Sequence, residues 1–301
     1  MKPASGGWPA LGEDAGRRRS RRDSDPNVTM TVLNRDSLGA MTEDEPLLVE
    51  RDGAVAILTL NRAGTRNALN RELVVALGEA LAAVSADREI RAVVLTGSGG
   101  SFCSGADLRS AMSERVEVGM DRRIDEFHAM IRAIVSAPKP FVAAVDGAAV
   151  GFGADLALAC DLRVLSTEGY IQEKFVKIGL MPDGGGTFWM PRLVGLGRAL
   201  EFLLLGTKID ARMAADLGLA NRVVEPADLA GAALALAHEL AKGPPLAYAA
   251  IKEAVREGAR GTIHDALERE KSGQLRLLAS QDMMEGVLAW AQRRDPSFRG
   301  E

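Results

Sequence analysis

"VDGAAVGFGADLALACD", Val145 to Asp161, decides how this chain is read. Together with the residues from Phe141 it begins as an apolar strand pattern that stops at Gly147. A loop of small residues follows, and an apolar helical pattern starts near Gly153. Strand, glycine turn and helix form the repeating unit of an α/β fold. Such a turn leaves unpaired N–H groups at the positive end of a helix dipole, a place suited to an anion. A dinucleotide pyrophosphate needs G-x-G-x-x-G there, and an acid at the tip of the following strand. Gly151 and Gly153 supply the first two glycines, but Leu156 holds the third place and the next strand ends in "VLS". What survives is more general, a helix start that an anion can approach closely because Gly151 and Gly153 carry no bulk.

Outward from this stretch the alternation continues. "AVAILTL" (Ala54–Leu60) and "RAVVLTG" (Arg91–Gly97) are strand patterns flanking an amphipathic helix over Leu69–Val84. A second cycle has a helix around Asp121–Ser136, a strand over Phe141–Gly147, the helix after Gly153 and a strand over Leu162–Ser166. From about Asp210 onward strand signals nearly vanish, and four helical patterns punctuated by Gly or Pro follow. The pattern predicts an α/β core, residues 45–240, with a helical C-terminal region, residues 241–301. The apolar stripes of that region exceed what one helical layer needs, so they either cap their own core or pack on another subunit.

The 301 residues are 47% hydrophobic and carry a net charge of -4, which gives no general attraction to nucleic acid. No apolar run is long enough to cross a bilayer and no charged-then-apolar leader opens the sequence, so a cytoplasmic protein without a membrane partner is expected. Cys103 and Cys160 lack CxxC or Cys/His spacing, which argues against a disulfide framework and a zinc site, and no metal is expected. Residues 1–40 hold seven basic and five acidic groups, a net of +2 that leaves -6 for the rest. "GRRRSRRDSDPN" has no apolar period, and residues 1–44 read as a disordered basic extension.

A second turn resembles the first. "LTGSGGSFCSGADL" (Leu95–Leu108) leaves a strand through small residues, and Gly105-Ala106-Asp107 opens another possible helix. Two such turns can converge on one oxygen and stabilise an enolate or tetrahedral oxyanion.

These stretches, with "LNRAGTRNALN" (Leu60–Asn70) and "FVKIGLMPDGGGTFWMPRLVG" (Phe175–Gly195), resemble the crotonase, or enoyl-CoA hydratase/isomerase, superfamily from about Pro46 to Phe298. The resemblance implies a crotonase-like spiral of ββα repeats with a helical C-terminal subdomain, assembled as a homotrimer or a dimer of trimers. It implies an acyl-CoA thioester as substrate, with no cofactor beyond the CoA that the substrate carries. Carried over, the oxyanion hole is the backbone N–H groups of Ala106 and Phe152. Of the two glutamates typical of the hydratases, the first position holds Asp155 and the second Phe175, which transfers no proton. Asp183, in "GLMPDGGGT", matches an aspartate of the isomerase branch that acts in phenylacetate degradation. A single base can move a proton between two carbons, which suits double-bond migration. Asp155 either assists or caps its helix. The same resemblance puts Arg66 and the backbone around Ala68 along the CoA entrance and Ala106, Asp107 and Leu108 near the adenine. Gly105, Gly151 and Phe175 also count among the substrate-binding residues, and Arg293 and Arg294 could meet CoA phosphates. His128, His238 and His264 read as structural or surface groups, and Trp189 and Met190 as core. Isomerisation of an enoyl-CoA leads. Hydration using Asp155, a non-catalytic acyl-CoA-binding relative and an RNA-binding relative are the alternatives.

Overall fold

The strand patterns become a sheet because each is an apolar run between glycine or polar breaks. The computed structural model describes residues 33–34, 45–113, 119–258 and 261–301. Its larger sheet has seven strands, β1 (Leu33–Asn34), β2 (Leu47–Asp52), β3 (Val55–Leu60), β4 (Ala92–Gly97), β5 (Phe141–Val145), β7 (Leu162–Ser166) and β10 (Arg222–Val224), in that spatial order. β2 and β3 form an antiparallel hairpin, in register from Leu47 opposite Leu60 to Asp52 opposite Val55. From β3 onward every pairing is parallel, with Val55 opposite Ala92, Val93 opposite Phe141 and Val142 opposite Leu162. A smaller sheet contains β6 (Ala148–Val150), β8 (Tyr170–Gln172) and β9 (Ile209–Asp210) in the order β6-β8-β9.

Parallel strands need long crossovers, and here these carry helices. α1 (Arg71–Ala86) starts at Asn70, whose side chain accepts from the Leu73 N–H, and buries Leu73, Leu77, Ala80, Leu81 and Val84. α2 (Leu108–Ser113) is short; α3 (Met120–Ser136) packs along α1 and α4 (Phe152–Ala159). All five residues of β5 and all eight of α4 are buried. α5 (Gly186–Val194), α6 (Leu196–Leu205) and α7 (Ala211–Asp216) lead to α8 (Leu229–Ala241). Leu229, Ala233, Leu236 and Ala237 of α8 pack on Val55, Val94, Val142, Ala144 and Val164 of the sheet. α9 (Pro245–Gly258), α10 (Ile263–Leu278) and α11 (Gln281–Gln292) complete the helical C-terminal region. α9 is tied to the core by Asp161, whose carboxylate accepts from Lys252 Nζ at 2.7 Å and Arg256 Nη2 at 2.8 Å.

The expected α/β core and helical C-terminal region are therefore both present. The predicted strand over Leu162–Ser166 matches β7, and the four C-terminal helical patterns are α8 to α11. Sequence periodicity did not find β6, β8, β9 and β10, because two or three residues show no period. Of the basic segment 1–44, Leu33–Asn34 form β1, parallel to β2 at Glu50 and Arg51. The rest of that segment lies outside the described residues. No helix among the described residues is long and apolar enough to cross a membrane.

Candidate active site

Two of the sequence's turns meet at one cavity. The first follows β4. Gly105 there has φ +92°, and a Cβ on it would lie 2.8 Å from the Val150 carbonyl oxygen and 3.4 Å from the Phe152 nitrogen. Only glycine lets the two turns come this close. The second turn follows β6. Gly151, with φ +55°, precedes α4, whose first residue is Phe152 rather than Gly153. Among the described residues no backbone carbonyl accepts from the N–H of Ala106 or of Phe152. Both residues line a cavity of about 280 Å³, along with Gly105, Gly151, Leu108, Phe127, Phe175 and Asp183.

The first turn is held from below by a residue that sequence reasoning passed over. Asn67 is fully buried, with φ +56°. Its Nδ2 donates to the carbonyls of Ser98, at 2.9 Å, and Ser101, at 2.7 Å. Its Oδ1 accepts from the Arg62 N–H at 2.8 Å. Cys103 Sγ donates to the Asn67 carbonyl at 3.2 Å and accepts from the Gly105 N–H at 3.4 Å.

Three carboxyl groups gather at the second turn. Asp183 lies on the cavity wall, in the loop that leads into α5. Asp155, fully buried on the first turn of α4, sits behind that loop and accepts the Gly184 N–H on Oδ2 at 3.0 Å. The third is Glu173, 1% exposed, whose Oε1 lies against Gly186 together with Asp155 Oδ1. Glu173, which stands just before the Phe175–Gly195 stretch, was passed over in the sequence. Its place is set by the small sheet, where Val150 of β6 pairs with Gln172 of β8 and the Gly151 N–H donates to the Gln172 carbonyl at 2.8 Å.

Burial raises the pKa of all three carboxyls. For Asp155 the nearby Asp183 adds to it, against the Gly184 and Gly186 N–H groups. Burial and then Asp155 push Glu173 well above the usual carboxyl range. For Asp183 burial outweighs the opposing charge of His128. His128, taken from the sequence as a bystander, thus faces the site from α3.

The remaining residues divide. Gly105, Ala106, Leu108, Gly151, Phe152, Phe175 and Asp183 meet at the cavity; Arg66, Ala68, Asp107, Arg293 and Arg294 are not among its lining. Asp107 is paired with Arg62 at 3.0 Å. Partial burial pushes the Asp107 carboxyl up, but the Ser110 N–H and Arg62 outweigh it and hold the carboxyl below its usual range. The Ala68 carbonyl also accepts from Arg62. Arg66 is exposed in the left-handed region, as is Arg293 at the end of α11. Arg294 is engaged by both carboxylate oxygens of Glu285, at 2.6 and 2.8 Å, so a phosphate there would compete with an existing fork. Met190 is buried core as expected, whereas Trp189, only partly buried, has an indole N–H with no acceptor. No group of His, Cys, Asp and Glu among the described residues could hold a metal ion.

A sequence model of the enoyl-CoA hydratase/isomerase family matches residues 50–301. The chain belongs to the enoyl-CoA hydratase/isomerase family. It is similar to a Rhodobacter capsulatus protein named "Probable enoyl-CoA hydratase", with 42% identity over 82% of this chain and 95% of that one. It is also similar to the 1,2-epoxyphenylacetyl-CoA isomerase of Escherichia coli K12, with 35% identity over 85% of this chain and 99% of the relative. Among solved structures, an enoyl-CoA hydratase from Polaromonas sp. JS666 superposes with a TM-score of 0.80 at 37% identity, covering 84% of this chain and 99% of that one. The fold is the crotonase fold, and membership makes this an acyl-CoA enzyme of the hydratase/isomerase family.

Proposed function

We propose that this enzyme moves the double bond of an enoyl-CoA thioester, with Asp183 as the proton carrier. The observation that carries the reading is that Asp183 reaches the cavity shared by Ala106 and Phe152, while Asp155 is fully buried behind the Gly184 loop. Asp183 takes a proton from carbon 2 of a 3-enoyl thioester. The electron pair spreads through the double bond to the thioester oxygen, where the N–H groups of Ala106 and Phe152 stabilise the dienolate. Asp183 then returns the proton to carbon 4, leaving a 2-enoyl thioester. Burial raises the affinity of Asp183 for that proton, which suits a group that must both take and return it. The substrate brings its own CoA, and no other cofactor enters the reaction.

A second reading is hydration using Asp155, which holds the place of the first hydratase glutamate while Phe175 occupies the second. Assays with a cis-3-enoyl-CoA and a trans-2-enoyl-CoA separate the two. Asp183→Asn loses about 100-fold or more in isomerisation rate if Asp183 carries the proton. Turnover near that of the unchanged enzyme would refute the role.

The assembly is proposed to be a trimer or a dimer of trimers. Its support is the exposed apolar residues of the C-terminal helices, among them Ile251, Val255, Leu275, Val287 and Trp290, the last 82% exposed. Analytical ultracentrifugation reads the state directly.

A further inference from the structure

Glu173 has no part in the isomerisation above, yet among the described residues it is the most deeply buried carboxyl after Asp155. Neither Glu173 oxygen has a donor, nor does Asp155 Oδ1, whereas Asp155 Oδ2 takes the Gly184 N–H. Glu173 Oε1 and Asp155 Oδ1 converge on Gly186. A Cβ on that glycine would lie 2.5 Å from Glu173 Oε1 and 3.0 Å from Asp155 Oδ1. Among the described residues no lysine, arginine or histidine forms an ion pair with either. The titratable group facing them is Asp183 on the loop before α5, which His128 of α3 faces in turn.

Two carboxylates in contact and out of water cannot both be charged. One proton between them resolves the arrangement: an O–H on Glu173 donates to Asp155 Oδ1, so two of the three orphaned oxygens gain a partner. We propose that Glu173 is a positioning residue, whose carboxyl shares a proton with Asp155 so that the pair holds in place the loop that carries Asp183. The pair braces the Gly184–Gly186 backbone from below, Asp155 through the Gly184 N–H and both carboxyls through contact with Gly186. Glu173 thereby acts on the reaction through Asp155 and the loop, without touching the substrate. The inference rests on the cavity being the reaction site.

A carboxyl with a higher pKa in the folded chain than in the unfolded one binds its proton more tightly when folded. Stability is therefore lost as pH rises from the unfolded value, about 4.3, toward the folded one. The melting temperature of the full-length protein should fall between about pH 5 and about pH 9. In Glu173→Gln and in Glu173→Met, neither of which ionises, that fall should be shallower, since the proton that Glu173 shares with Asp155 is gone. A fall as steep in both variants as in the unchanged protein would overturn the shared proton. Kinetics reads the positioning role. Glu173→Gln still offers an N–H to Asp155 and should keep at least about ten-fold more kcat than Glu173→Met, with KM similar in the two. Equal kcat values would overturn positioning. The melting curves need no substrate, so they report the proton even if Asp183→Asn remains active and the proposed function fails.

Discussion

Replacing Gly184 with alanine tests whether the Asp183 loop is seated on Asp155. The added Cβ would lie 2.5 Å from Asp155 Cβ, 2.7 Å from Asp155 Oδ2 and 2.7 Å from Phe152 Cε2. Ordinary contact starts at 3.4 Å, so the shortfall is about 0.9 Å at the closest atom and about 0.7 Å at the others. None of these atoms yields easily. Asp155 is fully buried, and the Phe152 ring is 1% exposed and packed against Phe127, with ring centroids 4.5 Å apart and planes tilted by 56°. Either the loop lifts or Asp155 swings. Overpacking of this kind costs about 1–3 kcal/mol. A displacement of about 1 Å at a reacting centre costs on the order of 100-fold in rate. Gly197→Ala in α6 is the control, since nothing lies within 4 Å of its Cβ and an alanine there gains up to about 1 kcal/mol of helix propensity. Thermal unfolding and kcat/KM on a cis-3-enoyl-CoA measure both effects. Gly184→Ala matching the unchanged enzyme in melting temperature and in rate would refute the seating.

Ala106→Pro deletes one of the two N–H groups proposed to hold the thioester oxygen and should lower kcat by about 100-fold or more with the circular dichroism spectrum intact. Full activity in a folded variant would remove Ala106 from the site. Asn67→Ala removes three hydrogen bonds worth about 1 kcal/mol each and places alanine at a positive φ that costs it about another 1 kcal/mol, so urea unfolding should show a loss of about 4 kcal/mol. Asp161→Ala leaves Lys252 and Arg256 without their mostly buried partner, at a cost of about 3–5 kcal/mol. Hydrogen exchange should quicken first in α9, and unchanged protection there would contradict the role of Asp161 as its anchor.

What could be read from the sequence followed the range of the interactions. β7 and α3 were legible because apolar period and breakers are local, and the glycines at 105 and 151 because a turn with positive φ leaves its mark in residue type. Glu173 was not legible. Nothing within five residues of it is diagnostic, and its burial comes from the β6–β8 pairing and from Gly186, thirteen positions downstream. Asp155 was named from the sequence, but its position behind the loop rather than on the cavity wall depends on the Gly184 N–H. Asp183 did reach the cavity. Arg294 shows the opposite limit, since two adjacent arginines say nothing of Glu285 nine residues back, which claims one of them.

An α,β-unsaturated thioester is an electrophile, and a thiol is buried beside the Gly105 turn, one residue away from the cavity lining. Cys103 is fully buried, and burial pushes its pKa up to about 12 against the single opposing Gly105 N–H. At neutral pH only about one molecule in a hundred thousand would carry the sulfur as thiolate, the form that attacks carbon. Packing therefore protects the catalyst from alkylation by its own substrate, and the sulfur serves as a hydrogen-bonding spacer that would become a hazard if the surrounding turn were opened to water.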